Sequence, residues 1–193
     1  MYEPGPNLNR LTPGEKRFLR QVADRSVAAG ARGRPPIDPL PLALREDIDL
    51  EPRLLEHRGA FVTLKSDGML RGCIGYVEGL KPLVLAVADN GRNAAVNDPR
   101  FPPVTAAELP LVTIEISALT PLVAVNGYEE IVIGRHGVHL AREGHQAVFL
   151  PQVAVEQGWN LRETLTQLAL KAGLRHDAWR AHCDFRVFEA EVF

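Results

Sequence analysis

Hydrophobic residues recur along the chain at two periods, and together the two periods predict a mixture of helices and strands. A capping box formed by Thr12 and Glu15 opens a run of apolar side chains at helical spacing that stops near Gly30. A second helical stripe covers residues 82–97, and a third follows a capping asparagine over residues 160–173. These stripes predict three amphipathic helices, each burying one face.

Alternation of apolar and polar residues predicts strands over residues 60–65, 70–76 and 111–119. The first two enclose a Ser-Asp-Gly sequence at 66–68, which is typical of a hairpin turn. This sequence is compatible with a two-residue Asp-Gly loop and with a three-residue loop in which Gly68 is left-handed. The three-residue loop is favoured because it separates an apolar face from a polar one. The polar face then carries Phe61, Thr63, Lys65, Arg71 and Cys73.

Other segments complete a single predicted domain over residues 1–193. Four prolines and one glycine in residues 31–41 predict a flexible loop. Residues 131–150 predict three short strands, so that residues 124–150 would form a small β lobe. The last strand, 185–193, is apolar on both faces and is expected to be buried. A capping box at residues 105–108 predicts a further short helix.

The composition narrows the class of protein. The 193 residues are 46% hydrophobic and 24% charged, typical of a globular domain, and the net charge of −2 argues against general attraction to nucleic acid. The first six residues lack the basic start and apolar run of a signal peptide, and no apolar run has the length of a membrane span. The sequence therefore predicts a cytoplasmic protein without membrane contact, whose two cysteines are free thiols.

The stretch Leu-Arg-Gly-Cys-Ile-Gly at residues 70–75 is the strongest candidate for chemistry. Glycine is disfavoured inside strands, so Gly72 and Gly75 indicate close approach of a backbone, a side chain or a ligand. Cys73 between them is either a nucleophile whose thiolate is favoured by Arg71 and Lys65, or a small buried hydrophobe. Both interpretations stay open at this point.

Glu115 places a carboxylate in the middle of a predicted strand, where it needs a partner. We expect Arg71 to pair with it, although the planar guanidinium of Arg71 is equally suited to a ligand carboxylate or phosphate. Glu115 is also a candidate general base for Cys73, and no histidine is placed to complete a familiar triad.

Three further residues are candidates for ligand contact. Asp98 and Arg100 lie in a proline-rich loop, where they either line a site or serve to end a helix and form a surface salt bridge. Gln152 either contacts a ligand or braces a loop. His136, His139 and His145 invite a metal interpretation, but residues three apart on a strand face opposite ways. We therefore favour the interpretation that these three are exposed histidines of a hairpin, and we expect no metal.

Several separated motifs, occurring in one order, resemble the AMMECR domain family, which comprises the AMME-syndrome candidate gene 1 protein and its bacterial and archaeal relatives. The resemblance covers about 70% of the chain strongly. The matching segments are residues 59–64, 70–75, 98–103, 115–117 with 119–121, Gly137, residues 150–154 with 158–159, 170–173 and 188–193.

The resemblance implies an α+β fold, in which an antiparallel sheet packed with helices meets a smaller β lobe, with a cleft between them near the cysteine motif. In bacteria and archaea such chains look like component A of the AmmeMemoRadiSam system, which implies a radical-SAM enzyme and a Memo-like protein as partners. No cofactor is implied. The expected site combines Cys73 and Glu115 as catalytic candidates with Lys65, Arg71, Gly72, Gly75, Asp98, Arg100 and Gln152 as binding residues.

The leading hypothesis is a component of a modification pathway that uses Cys73 and binds a small anionic or amide-bearing group beside it. A non-catalytic adaptor or peptide-binding module is the alternative from a different class. An RNA-binding module is a third hypothesis. The sequence argues against it, because it shows no basic face. The oligomeric state is left open by the sequence.

Overall fold

Two four-stranded antiparallel sheets carry the fold, and they belong to different units of the chain. The computed structural model describes residues 10–45 and 52–193. One unit comprises Met1–Ala118 with Glu191–Phe193, and the other comprises Leu119–Ala190. The predicted α+β class is confirmed. The first six residues, on which the signal-peptide argument rested, lie outside the described residues.

Helices and strands are numbered separately, each in chain order. The helices are α1 (Pro13–Gly30), α2 (Pro39–Arg45), α3 (Pro52–Leu55), α4 (Leu83–Val96), α5 (Pro151–Glu156) and α6 (Leu161–Lys171). The strands are β1 (Ala60–Ser66), β2 (Met69–Tyr76), β3 (Val112–Leu119), β4 (Val123–Ala124), β5 (Gly137–Arg142), β6 (His145–Phe149), β7 (Asp184–Phe188) and β8 (Ala190–Val192). Within the described ranges, no helix combines the length and the hydropathy that a membrane span requires.

The first sheet has the strand order β2-β1-β3-β8, and its buried face packs against α1 and α4. Thr12 and Glu15 form the predicted capping box, and Phe18 and Leu19 of α1 are fully buried. A Cβ placed on Gly91 of α4 would lie 3.3 Å from the carbonyl oxygen of Ala23. Small residues on α4 therefore let the two helices pack closely.

The β1–β2 hairpin differs from the prediction in the length of its turn and in its register. Its turn is the two-residue loop, with Asp67 and Gly68 both at positive φ (50° and 77°) and Ser66 paired with Met69. The favoured three-residue loop is therefore wrong. The register shifts within the hairpin, since Lys65 pairs with Leu70 but Leu64 pairs with Gly72. A β-bulge at Arg71 thus restores the predicted grouping of Cys73 with Thr63 on one face.

The second sheet has the order β4-β7-β5-β6 and packs on α6 through Val138, Leu140, Leu165 and Leu168. Residues 131–150 contribute two strands to it, not three, because the segment before β5 forms turns. The single strand predicted over residues 185–193 is also wrong. The chain divides there, so that β7 joins this sheet and β8 joins the first one.

Two local predictions need correction. Helix α2 begins at Pro39, inside the stretch predicted to be a loop at residues 31–41. Only half of the capping box at Thr105 and Glu108 forms, because the Glu108 carboxylate accepts from the Thr105 N–H while the Glu108 N–H donates to the Thr105 carbonyl oxygen. The segment opens only turns and a three-residue 3-10 helix, Leu109–Leu111, instead of an α-helix. A proline within this segment favours the short form, because it removes a backbone donor.

Candidate functional site

Cys73 lies in the middle of β2, the edge strand of the first sheet, and is half-buried. Thr63 of β1 is its cross-strand partner, and the Thr63 hydroxyl donates a hydrogen bond to Cys73 Sγ over 3.3 Å. The backbone groups of Cys73 point away from β1, as in a non-hydrogen-bonded antiparallel pair, whose side chains lie close together. The sheet register therefore places a hydroxyl against the thiol.

Asp98 and Arg100 cover the exposed edge of β2 at Cys73. The backbone N–H of Cys73 donates to Asp98 Oδ2 over 2.8 Å, and Arg100 Nη2 donates to the carbonyl oxygen of Cys73 over 3.2 Å. The two side chains thus make the backbone contacts that a further strand would make. Residues 98–108, named here the strap, run along this edge, and Val104 N–H ties the strap to the Ala95 carbonyl of α4.

A bidentate ion pair joins the two side chains of the strap. Arg100 Nε lies 2.9 Å from Asp98 Oδ1, and Arg100 Nη2 lies 2.7 Å from Asp98 Oδ2. The Asp98 side chain is 2% exposed, whereas that of Arg100 is 54% exposed. The hydrogen bond from Arg100 holds the pKa of Asp98 well below its usual range, with further lowering by the backbone N–H of Cys73. The hydrogen bond to Asp98 raises the pKa of Arg100 in turn.

Arg71 occupies the β-bulge and turns its guanidinium to the strap. Its Nε donates to Glu108 Oε1 over 2.9 Å, and its Nη1 donates to the Pro102 carbonyl over 2.9 Å. The hydrogen bond from Arg71, followed by those from Thr105, lowers the pKa of Glu108 to about 2. The predicted pairing of Arg71 with Glu115 is therefore wrong, because the bulge redirects Arg71 beyond the sheet edge.

Glu115 pairs instead with Lys65, whose Nζ lies 2.9 Å from Glu115 Oε2. Glu115 is the cross-strand partner of Thr63 on β3, so Thr63 lies between it and Cys73 in the sheet. The Cα atoms of residues two strands apart are separated by about 9–10 Å. Lys65 and Glu115 therefore form an ion pair with each other, and Thr63 is the side chain that hydrogen-bonds to the thiol.

Both glycines of the motif are explained by packing within the first unit. A Cβ on Gly72 would overlap the carbonyl oxygen of Ala94 in α4, and one on Gly75 would overlap the ring of Phe61. The close approach predicted from the sequence is thus made by a helix backbone and an aromatic ring. Neither glycine needs a ligand to account for it.

Gln152 lies on α5 in the second unit, and its Oε1 atom is buried without a hydrogen-bond partner among the described residues. His136 belongs to the same unit and is 8% exposed, so the prediction of an exposed hairpin histidine is wrong for it. Its Nδ1 accepts a hydrogen bond from the Val132 N–H over 3.1 Å, and burial lowers its pKa. His136 is consequently a structural histidine of the loop before β5.

The other two histidines of this region have separate partners. His139 Nε2 lies 3.2 Å from Gln146 Oε1, and His145 Nδ1 lies 3.0 Å from the Ala172 carbonyl oxygen. Over residues 10–45 and 52–193, no group of three or more His, Cys, Asp or Glu side chains is arranged to hold a metal ion.

Comparison with known proteins identifies the family. The AMMECR1 family model matches residues 21–193. The chain belongs to the AMMECR1 family. A Methanopyrus kandleri protein is 41% identical over 194 residues, covering 95% of this chain and 90% of its own, and a Methanocaldococcus jannaschii protein is 44% identical over 147 residues, covering 72% and 73%. The crystal structure of an uncharacterized protein from Pyrococcus horikoshii superposes with a TM-score of 0.78 at 34% identity, covering 91% of this chain and 88% of that one.

Within this AMMECR1-family chain, sequence reasoning missed Glu108 as a member of the site. The signal was present, because the capping-box sequence that predicts a short helix at Thr105 also places the Glu108 carboxylate at the Thr105 backbone N–H. One oxygen of Glu108 accepts from Thr105 N–H over 2.7 Å, and the other oxygen is left for Arg71.

Proposed function

We propose that this AMMECR1-family protein is a component of a modification pathway and that Cys73 is its functional thiol. In this proposal a ligand with a small anionic or amide-bearing group binds over the sheet face beside Cys73, with Arg100 as the cation that meets it. The half-exposed guanidinium of Arg100 supports that role. Arg71 and Asp98 act as positioning residues that hold the strap and the edge of β2 in place.

The single observation that carries the proposal is the hydrogen bond from the Thr63 hydroxyl to Cys73 Sγ. This hydrogen bond holds the thiol in one orientation, and the Arg100 guanidinium lies at the carbonyl oxygen of the same residue, where it can meet an anionic ligand. The hydrogen bonds of Asp98 and Arg100 to the Cys73 backbone fix the position from which the sulfur would attack.

Complementation of a strain that lacks the gene tests the proposal. The wild-type chain should restore the metabolite profile of the parent strain, which still carries the gene. Cys73→Ala should fail to restore this profile, and the matched variant Cys183→Ala should restore it fully. Thr63→Val tests the carrying hydrogen bond and should restore the profile only partly. The proposal fails if folded Cys73→Ala restores the profile as well as the wild-type chain does.

The proposed partners are a radical-SAM enzyme and a Memo-like protein, and family membership supports them. Affinity purification of the tagged chain from its native organism is the direct test. Both partners should be enriched over a control purification from cells that carry the tag alone. Recovery of neither partner at native expression would contradict this part of the proposal.

A non-catalytic adaptor is the second candidate function, and one observation favours it. Met69, Leu70 and Leu111 are exposed apolar side chains at the hairpin end of the first sheet, with exposures of 74%, 43% and 61%. Exposed apolar side chains at one end of a sheet are candidates for a protein contact surface. Met69→Ser and Leu111→Ser would abolish partner recovery under this function, while Cys73→Ala would leave recovery and the metabolite profile unchanged.

A further inference from the structure

The four lysines of the chain differ in what they contact. Three of them pair with carboxylates, Lys16 with Glu191, Lys65 with Glu115 and Lys81 with Asp89. Lys171, the last residue of α6, forms no ion pair with any residue in the described part of the chain. Its amine is therefore the one among the four that no described carboxylate holds in the charged form.

The Lys171 amine is held by a backbone carbonyl and an aromatic ring of β6. Its Nζ donates a hydrogen bond to the Val148 carbonyl oxygen over 2.9 Å and lies 4.8 Å from the centroid of the Phe149 ring. The centroid of the Trp159 ring lies 5.8 Å from that of Phe149, at an interplanar angle of 48°. Both rings are half-buried, whereas Lys171 is exposed. The amine is thus positioned over one ring of an aromatic pair and stays accessible to solvent.

The surroundings of Lys171 favour the neutral amine. Burial of the group lowers the pKa of Lys171. Lysine amines attack carbonyl carbons only in the neutral form, which proteins produce by placing the amine among apolar groups. The hydrogen bond to the Val148 carbonyl uses an N–H of the amine and leaves the lone pair of its neutral form for reaction.

Two sequence motifs that the Cys73 site leaves unused meet at this amine. Trp159 ends the motif at residues 158–159, and Lys171 belongs to the motif at residues 170–173. Both side chains contact the same ring, that of Phe149. The Trp159 N–H donates to the Ala154 carbonyl oxygen over 2.8 Å, which ties the tryptophan to α5. The aromatic pair is therefore held in place beside the amine before any ligand arrives.

We propose that Lys171 is a reactive amine that condenses with a small aldehyde or ketone carrying an aromatic group. Lys171 Nζ forms a bond to the carbonyl carbon, and the carbonyl oxygen leaves as water with the two amine hydrogens, so that an imine results. The step needs no oxidant or reductant. Phe149 and Trp159 pack against the aromatic group of the ligand. This inference does not depend on Cys73.

Trapping of the imine on the full chain tests the proposal. The chain is incubated with phenylacetaldehyde and sodium cyanoborohydride, which reduces an imine to a stable secondary amine, and peptide mass spectrometry gives the rate at each lysine. Lys171 should be modified about ten-fold faster than Lys16, Lys65 or Lys81 near pH 8. Its rate should also level off at a lower pH than theirs. Modification of Lys171 no faster than that of the ion-paired lysines would overturn the proposal.

Variants and a second ligand test the role of the aromatic pair. Trp159→Leu should slow the modification of Lys171 about three-fold, and Phe149→Leu serves if that variant does not fold. Val155→Ser, a change at an exposed residue of α5, is the control and should leave the rate unchanged. Phenylacetate has the same ring without an electrophilic carbonyl and should not protect Lys171. Full protection by phenylacetate would assign an anion site instead, and an unchanged rate in folded Trp159→Leu and Phe149→Leu would contradict the aromatic contact.

Discussion

The Asp98 carboxylate accepts a hydrogen bond of 2.8 Å from the backbone N–H of Cys73. Asp98 thereby holds the edge strand from outside the sheet while Thr63 contacts the thiol from within it. The strap consequently has two roles in our account. It closes a strand edge that would otherwise be open to pairing, and it fixes the residue that we propose as the functional thiol.

Asp98→Asn should destabilise the protein by about 2 kcal/mol near neutral pH, because it removes the charge of a buried carboxylate that pairs with Arg100 and weakens the acceptor for Cys73 N–H. Urea denaturation followed by circular dichroism measures this loss. Asp177→Asn is the matched control, because Asp177 makes a similar bidentate pair with Arg175 at the surface. It should cause no measurable loss, and an equal loss in both variants would contradict the role of burial.

The stabilisation by Asp98 should also depend on pH in a defined direction. The pKa of Asp98 is lower in the folded protein than in the unfolded chain. Its contribution is therefore complete above the unfolded pKa of about 4 and is lost as the pH falls toward the folded value. The difference in unfolding free energy between wild type and Asp98→Asn should shrink steadily below that pH. A constant difference across this acid range would refute the electrostatic origin.

Gly72→Ala should destabilise the protein by about 3 kcal/mol, because the added Cβ overlaps the Ala94 carbonyl oxygen of α4. Gly68→Ala provides a comparison of a different kind. Gly68 has open space around its Cβ position but a φ of 77°, so only backbone strain of about 1 kcal/mol is expected. Thermal unfolding distinguishes the two. Equal shifts in Tm would mean that helix packing at Gly72 is not tight.

A double-mutant cycle tests the corrected partner of Arg71. Arg71→Ala and Glu108→Ala should show a coupling energy of about 0.5–1 kcal/mol, because their side chains share a hydrogen bond. Arg71→Ala and Glu115→Ala should instead be additive, since Glu115 pairs with Lys65. Coupling found only in the second cycle would restore the partner that the sequence predicts.

The helices and sheet faces follow from the sequence because local signals agree with tertiary packing. The Thr12 capping box and the apolar stripes of α1, α4 and α6 give the right elements. The sequence argument predicts the wrong turn at Asp67–Gly68 because it assumes a regular hairpin, in which only a three-residue loop separates the apolar face from the polar one. The bulge at Arg71 satisfies the same separation with a tighter turn, and hydrophobic pattern alone cannot distinguish the two solutions.

The sequence predicts which residues form the site better than it predicts which of them contact each other. Cys73, Arg71, Asp98 and Arg100 do lie together, but which cation meets which carboxylate depends on the path of the strap. A pocket of the second unit, lined by residues 124–129 and 179–186, has no sequence signal, because its two segments are about fifty residues apart and only the sheet order β4-β7 brings them together. Long-range pairing of this kind is set by tertiary packing.

Alkylation kinetics of Cys73 test the central claim most directly. The folded chain is treated with iodoacetamide near neutral pH, and modification of Cys73 and Cys183 is followed by peptide mass spectrometry. Cys183 is also a half-buried free thiol, and burial raises its pKa, so it is an internal reference of low reactivity. Cys73 should react about ten-fold faster than Cys183, and Thr63→Val should slow Cys73 alone. A Cys73 that reacts no faster than Cys183, or that is indifferent to Thr63→Val, would contradict its role as the functional thiol.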